Sequence, residues 1–242
     1  MRTGQKRRMI DNFLLDADET ILDFIRSSRE SFLSAMGELG LRFGQREFAL
    51  FKGINDGLWR EYEQGTITKP KLMKERFARL FTALGVHADA ERANSLYFGT
   101  LCGRGYLLPG ADEFLRALKE RGKIFLITNG TPPAQYGRLR SVGLENFFDG
   151  IFISDEIGHS KPSAAFFEYV LAKAGLERSD CAVIGDSLTS DIRGANNAGI
   201  VSIWFDQQGR RAEGAKPDHI AHSYREILQI VDTKLRGRKE RV

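Results

Sequence analysis

KIFLITNG, residues 123–130, is an apolar run that ends in Thr128, Asn129 and Gly130. A short apolar run that stops at polar and glycine residues is typical of a strand buried inside a parallel sheet. From here to the C-terminus the chain alternates β-rich runs with helical stretches, and this alternation indicates βαβ units. The sequence therefore predicts an α/β fold with a mostly parallel sheet.

The segments on both sides extend this alternation. Phe13-Leu14-Leu15 predicts a strand near the N-terminus. Three of the helices that we predict downstream are followed by a glycine, which is where helices commonly end. The predicted strands are 150–154, 181–184 and 201–205, and the predicted helices are 132–142, 163–174, 190–198 and 224–235.

Residues 24–106 differ from the rest, because they show no strand-like alternation and place apolar residues three and four positions apart. We therefore predict an α/β core domain of residues 1–23 and 106–242. A helical cap domain of residues 24–105 is inserted after the first strand, as a lid above the loop that follows it. The helices predicted in the cap are 24–39, 45–64, 69–84 and 88–102.

The composition is that of a globular protein. With 242 residues, 42% of them hydrophobic, the chain can bury one substantial core and a smaller satellite domain. No apolar stretch approaches the roughly 20 residues that span a bilayer, and no apolar signal core follows the basic N-terminus. Cys102 and Cys181 are too few for a disulfide framework. We expect a cytoplasmic monomer or homodimer with no membrane partner.

Most of the positive charge lies at the two ends of the chain. The formal net charge is +4, yet residues 1–8 and residues 234–241 each carry a net charge of +4. The remainder is therefore mildly acidic, whereas binding to a polynucleotide requires a contiguous basic face. We expect solvated basic tails and no polynucleotide partner.

Four polar segments occur in order beside the predicted strands: Asp16–Thr20, Thr128–Gly130, Lys161-Pro162 and Gly185–Asp191. The carboxyl ends of parallel strands meet at one edge of the sheet, where open α/β sheets bind their ligands. Each segment alone is uninformative, since a pair of exposed aspartates is more often a solvated turn. Together they provide the groups that bind Mg²⁺, hold a phosphate and attack it.

Asp16 and Asp18 carry the predicted chemistry. The Asp16 carboxylate can attack phosphorus and form an aspartyl-phosphate, which splits one hard hydrolysis into two easier steps. Asp18 can give a proton to the leaving alcohol and later take one from water. Because two carboxylates and a phosphoryl group repel one another, we predict a Mg²⁺ ion, with Asp186 and Asp191 as further ligands.

Other residues suit phosphate binding. Lys161 supplies the positive charge that a phosphoryl oxygen needs. Thr128 and Asn129 offer a hydroxyl, an amide and backbone N–H groups at a strand end. Asp191 also has a simpler interpretation, because a carboxylate in the first turn of a helix is favoured by the helix dipole.

This ordered set of segments resembles the motifs of the haloacid dehalogenase superfamily of phosphatases, over about residues 10–235. The resemblance implies a Rossmann-like three-layer α/β/α sandwich with a helical cap. It implies that Asp16 is the nucleophile and a Mg²⁺ ligand. It also implies that Asp18 is the acid/base and a ligand through its backbone carbonyl.

The same resemblance assigns the remaining motif residues to phosphate and metal. Thr128 and Lys161 bind phosphate, and Asp186 binds Mg²⁺ directly. Asp191 assists through water or by holding Lys161. The implied substrate is a small phosphomonoester.

Details of the chain resemble the pyrimidine 5′-nucleotidase branch of that superfamily. The first motif has Glu19 where many relatives have glycine, and residues 58–62 read LWREY, followed by QGTIT at 64–68. This resemblance implies a pyrimidine nucleoside monophosphate as the substrate, with Trp59 and Tyr62 as candidates for stacking on the base. Packing inside the cap is the other interpretation of these two aromatic residues.

Other functions remain open from the sequence. Related dehalogenases use the same nucleophile but need no acid, so the presence of Asp18 disfavours them. A phosphatase of a sugar phosphate or phosphoglycolate, a phosphomutase and a non-catalytic binding module are alternatives. Binding modules of this kind usually lack a nucleophile or a metal ligand, and none is missing here.

Overall fold

The computed structural model of the chain describes residues 9–235. Residues 1–8 and 236–242 hold almost all of the two basic tails and lie outside the described residues, so the solvation of the tails stays a prediction. Within residues 9–235, no helix combines the length and the apolar character needed to cross a membrane.

One sheet contains six strands, namely β1 Asn12–Asp16, β2 Lys123–Thr128, β3 Gly150–Ile153, β4 Cys181–Gly185, β5 Val201–Phe205 and β6 His219–Ala221. All neighbouring strands are parallel, in the order β3-β2-β1-β4-β5-β6. Phe13, Leu14 and Leu15 of β1 are fully buried. Strands covered on both faces have continuous apolar runs, which is why they could be predicted. The α/β fold class is therefore confirmed.

Five helices lie between β1 and β2: α1 Phe24–Glu38, α2 Gln45–Glu63, α3 Lys69–Leu84, α4 Ala90–Leu101 and α5 Ala111–Lys119. The bounds of α1 to α4 lie within two residues of the predicted ones. α5 was not predicted, although it carries a helical stripe of buried residues, Ala111, Phe114, Leu115 and Leu118.

The later helices are α6 Pro132–Ser141, α7 Ser154–Ile157, α8 Ala164–Ala174, α9 Arg193–Ala198 and α10 Tyr224–Ile230. The predicted helix 190–198 is in fact a turn of π-helix, Leu188–Ile192, followed by α9. α10 continues into a similar turn, Val231–Leu235. The short α7 and β6 were not predicted, because three or four residues carry too little periodicity.

The chain forms two compact units. The sheet unit contains residues 9–22, 107–130 and 147–235, and the helical unit contains residues 23–106 and 131–146. In the sheet unit, Leu14, Ile127, Phe166 and Val183 belong to one buried apolar cluster.

The helical unit has an aromatic core. The ring of Phe51 lies 5.0 Å from that of Phe32, 4.8 Å from that of Phe77 and 5.2 Å from that of Tyr97, measured between centroids. The helices that supply these rings are α1 for Phe32, α2 for Phe51, α3 for Phe77 and α4 for Tyr97. The aromatic contacts therefore join all four helices.

Candidate active site

The position of Asp16 follows from the sheet. Asp16 is the last residue of β1, and β1 pairs with β2 on one side and with β4 on the other. The loops that follow these three strands therefore leave the sheet side by side, at the edge where parallel sheets bind ligands. Asp16 is only 7% exposed, so its environment is formed by the protein.

Lys161 joins three of the predicted segments through its ammonium group. Its Nζ donates to Asp16 Oδ1 at 2.6 Å, to Asp191 Oδ1 at 2.7 Å and to the carbonyl of Ile127 at 3.0 Å. All three donors of the ammonium are thereby used, and the residue is 1% exposed. A buried charge needs this degree of compensation, because removing it from water is costly.

The carboxylates in this site outnumber the cations. Burial raises the pKa of Asp16 to about 7, Asp191 adds to the rise and Lys161 opposes it. Burial, followed by the charges of Asp16 and Asp191, raises the pKa of Asp186 well above its usual value. Burial lowers the pKa of Lys161, but the carboxylates of Asp16 and Asp191 outweigh it and raise the pKa above that of an ordinary lysine. The site therefore favours an additional cation.

Thr20 links the first segment to the fourth. Its hydroxyl donates to Asp16 Oδ2 at 3.2 Å and accepts from the backbone N–H of Asp186 at 3.1 Å. The hydroxyl of Tyr224 donates to the Thr20 carbonyl at 2.8 Å. Lys161 thus holds one oxygen of the Asp16 carboxylate and Thr20 holds the other, which fixes the plane of the group.

Glu19 has a left-handed backbone in the loop after β1. Its φ is +58°, and among residues 9–235 it is the one non-glycine residue with a positive φ. The turn is closed by its backbone N–H, which donates to the Leu22 carbonyl at 2.8 Å. Glycine adopts this conformation without steric cost, which explains physically why glycine suits the position.

Asp191 is fully buried in the π-helical turn after β4. Its Oδ1 accepts from Lys161, and its Oδ2 accepts from the backbone N–H of Ser187 at 3.1 Å. A Cβ atom on Gly185 would lie 2.3 Å from Asp191 Oδ2, so the close approach requires glycine. The contact with Lys161 is the arrangement expected if Asp191 assists by holding Lys161.

Asn129 fastens the second segment to the third. Its Nδ2 donates to the carbonyl of Lys161 at 2.8 Å, and its Oδ1 accepts from the backbone N–H of Lys161 at 2.9 Å. The amide that was expected to face a phosphate therefore binds the backbone of Lys161 through both of its ends. Thr128 is 2% exposed, and its Oγ1 accepts from the N–H of Gly130 at 3.0 Å.

An acidic cluster suits a hard metal ion. Carboxylate oxygens of Asp16, Asp186 and Asp191 all lie within 4.8 Å of one another. An oxygen-only donor set with excess negative charge fits Mg²⁺. Among the described residues, the half-buried Asp18 is not a member of this cluster.

Trp59 and Tyr62 belong to α2 of the helical unit, whereas the other predicted site residues lie in the sheet unit. Their rings meet edge to face, 5.6 Å apart, and pack against Leu58 and Leu72. The ammonium of Lys69 lies 5.1 Å from the Tyr62 ring and 5.7 Å from the Trp59 ring. A cation over aromatic faces is attractive, and this contact was not predicted.

Trp204 and Arg210 were also missed. Both donate to the backbone carbonyl of Asp186. No motif marks them, because a contact to a backbone carbonyl leaves no signature in the sequence.

The profile of the family described as haloacid dehalogenase-like hydrolase matches residues 10–199. The chain belongs to this family. The matched range includes all four segments from Asp16 to Asp191, so the resemblance that they predicted is confirmed, and this haloacid dehalogenase-like hydrolase is an enzyme.

Two curated relatives of this hydrolase are pyrimidine 5′-nucleotidases. PynA of Streptococcus pneumoniae is 34% identical over 231 residues, which cover 94% of this chain and 98% of PynA. YjjG of Escherichia coli is 32% identical over 225 residues, which cover 91% of this chain and 97% of YjjG. The resemblance to that branch is therefore confirmed.

Solved structures support the same fold. The HAD-hydrolase YfnB of Bacillus subtilis, bound to magnesium, superposes with a TM-score of 0.87 at 30% identity and covers 93% of this chain and 100% of its own. The L-2-haloacid dehalogenase of Xanthobacter autotrophicus gives a TM-score of 0.76 at 17% identity, again over 93% of this chain and 100% of its own. At that identity the second likeness concerns the fold alone.

Proposed function

We propose that this hydrolase is a Mg²⁺-dependent phosphatase that forms an aspartyl-phosphate on Asp16. The observation that carries the proposal is the buried Asp16 carboxylate, held by Lys161 at 2.6 Å and by Thr20 at 3.2 Å. A nucleophile fixed at the end of a strand reacts without first having to be oriented.

In the first step, Asp16 attacks phosphorus and the bond between phosphorus and the ester oxygen breaks. Asp18 gives its proton to the departing alcohol. In the second step, water attacks the phosphorus of the aspartyl-phosphate, Asp18 accepts a proton from that water, and inorganic phosphate leaves. The carboxylate of Asp16 is thereby restored.

The remaining residues bind and orient. Lys161 stabilises the phosphoryl oxygens by its positive charge, Thr128 binds them, and Asp191 holds Lys161 in place at 2.7 Å. Asp16 and Asp186, with Asp191 beside them and the Asp18 carbonyl, would hold Mg²⁺. When bound, Mg²⁺ offsets the repulsion between the carboxylates and the phosphoryl group.

The substrate that we propose is a pyrimidine nucleoside 5′-monophosphate. The support is the similarity to PynA and YjjG, which extends over nearly the whole of this chain and of both relatives. We further propose that residues 24–105 act as the cap and that Trp59 and Tyr62 of this segment stack on the base.

The test is phosphate release with Mg²⁺ from a panel of 5′-nucleotides, sugar phosphates and small phosphorylated acids, with Asp16→Asn as the blank. A clear preference for UMP, dUMP or dTMP is expected. A preference for sugar phosphates or phosphoglycolate would reject the nucleotide assignment and keep the phosphatase. Release from no member of the panel would reject both.

A further inference from the structure

The backbone carbonyl of Asp186 accepts two hydrogen bonds from side chains of the same region. Trp204 Nε1 donates to it at 2.9 Å, and Arg210 Nη2 donates to it at 3.2 Å. A carbonyl oxygen has two lone pairs, so both acceptor positions are occupied. Asp186 itself belongs to the acidic cluster.

The register of the sheet brings Trp204 to this carbonyl. In the pairing of β4 with β5, Trp204 lies opposite Gly185, the residue before Asp186. Trp204 is fully buried, so its N–H needs a partner inside the protein. The Asp186 carbonyl is that partner, and the bond fixes where the chain goes after β4.

Arg210 is held by contacts of its own. Its Nε donates to Asp206 Oδ1 at 2.8 Å, and its guanidinium lies 5.4 Å from the centre of the Trp204 ring. Burial raises the pKa of Asp206, but the hydrogen bonds from the Arg210 side chain and from the backbone N–H groups of Gln208 and Arg210 together outweigh burial and lower the pKa below the usual value.

The position of Asp206, which binds Arg210, is fixed by contacts of its own backbone. Its backbone N–H donates to the Ala221 carbonyl at 2.9 Å, and its own carbonyl lies 2.6 Å from His222 Nδ1. The carboxylate is fully buried, although the loop beyond it is exposed. A planar guanidinium can reach Asp206, the Trp204 ring and the Asp186 carbonyl at once, which an ammonium cannot.

We propose that Arg210 is a positioning residue, which holds Asp186 in place for Mg²⁺ through the backbone carbonyl of Asp186. Asp186 needs such a contact because the carboxylates of Asp16, Asp186 and Asp191 repel one another and would otherwise move apart. This inference rests on the proposed function, since it takes Asp186 to be a Mg²⁺ ligand.

Mg²⁺ binding to the full chain tests the inference by isothermal titration calorimetry. Arg210→Gln is expected to raise the Kd for Mg²⁺ about tenfold, in line with the loss of one charge-assisted hydrogen bond. Arg210→Lys is expected to behave like Arg210→Gln, because it keeps the charge but cannot make the three contacts. Arg211→Gln removes the same charge from the exposed neighbouring residue and should leave the Kd within twofold of wild type.

The fluorescence of Trp204 gives a readout that is independent of activity. Only two tryptophans are present, so Trp59→Phe leaves Trp204 as the single reporter. In that background, without metal, Arg210→Gln and Arg210→Lys should each shift the emission of Trp204, and Arg211→Gln should not. Circular dichroism checks that each variant is folded.

The possible outcomes distinguish failure of this inference from failure of the proposed function. Failure of the wild type to bind Mg²⁺ would overturn the inference and the proposed function together. Binding by the wild type with an unchanged Kd in Arg210→Gln would overturn the inference alone. A normal Kd in Arg210→Lys would also overturn it, because charge and not position would then be the cause.

Discussion

The sheet unit and the helical unit both bury cations, and Lys161 of the first differs from Arg76 of the second in its partners. Lys161 donates to two carboxylates and a carbonyl in the sheet unit. In the helical unit, the 2% exposed Arg76 donates through Nε to Asn94 Oδ1 at 2.7 Å, and its guanidinium lies 4.6 Å from the centre of the Tyr97 ring. Burial lowers the pKa of Arg76.

The two cations differ in the charge of their partners. Lys161 offsets the negative charges of Asp16 and Asp191, and those charges raise its pKa and keep it protonated. Arg76 has neutral partners, and its Nη2 has no hydrogen-bond partner among residues 9–235. We interpret Arg76 as part of the packing of the helical unit, and Lys161 as part of the active site.

Asp16→Asn should have the largest effect on activity. The amide cannot act as the nucleophile, so phosphate release is expected to fall by about 10⁴-fold or more, as with other nucleophile variants. Steady-state kinetics with Mg²⁺ measure this. Asp11→Asn, which changes a carboxylate just before β1, is the control and should retain activity; a similar loss there would show that the effect is not specific to the nucleophile.

Lys161→Met tests the buried cation that has carboxylate partners. It leaves the Asp16 and Asp191 carboxylates buried without their counterion, so the free energy of unfolding should fall by about 3–5 kcal/mol. Loss of a phosphoryl-stabilising charge should also reduce kcat by about 10²- to 10³-fold. Denaturant unfolding and kinetics measure the two effects; a stable variant would contradict the assigned role.

Trp59→Leu tests the proposed contact with the base. Stacking of a base on an aromatic ring contributes about 1–3 kcal/mol, so KM for the preferred nucleotide should rise by about tenfold. The value of kcat for p-nitrophenyl phosphate, which has no nucleobase, should change little. If Trp59→Leu reduces activity by the same factor with both substrates, the packing interpretation of Trp59 is favoured.

Arg76→Met makes the same change as Lys161→Met in the other unit and should have the smallest effect. No carboxylate is left behind, and the cost of burying the guanidinium is removed, which offsets the loss of the bond to Asn94. The free energy of unfolding should change by less than about 2 kcal/mol. A loss as large as that of Lys161→Met would contradict the difference inferred between Lys161 and Arg76.

The sequence predicted the residues whose type and position both point to chemistry. Asp16 and Lys161 were predicted because the four polar segments occur together and in order, although each segment alone is uninformative. The contacts of Asn129 with the backbone of Lys161, and of Trp204 and Arg210 with the Asp186 carbonyl, could not be found. They depend on strand register and on loop paths, which bring together residues far apart in the chain.

The helical unit was predicted as a set of helices but not as a set of contacts. Periodicity identified α1 to α4, whereas the position of Lys69 beside Trp59 and Tyr62 depends on how α2 and α3 pack. α5 is a different case, because its apolar spacing was present in the sequence and was overlooked beside Pro109 and Gly110.

The most direct test of the account is the amount of phosphate bound to the Asp18→Asn protein after acid quenching. p-Nitrophenyl phosphate has a good leaving group and needs no acid in the first step, whereas the second step needs Asp18 as the base. We predict about one base-labile phosphate per chain, on the peptide that contains Asp16, and none when Asp16→Asn is added. Release of p-nitrophenol with no phosphate on the protein, or with phosphate on the double variant, would contradict the aspartyl-phosphate mechanism.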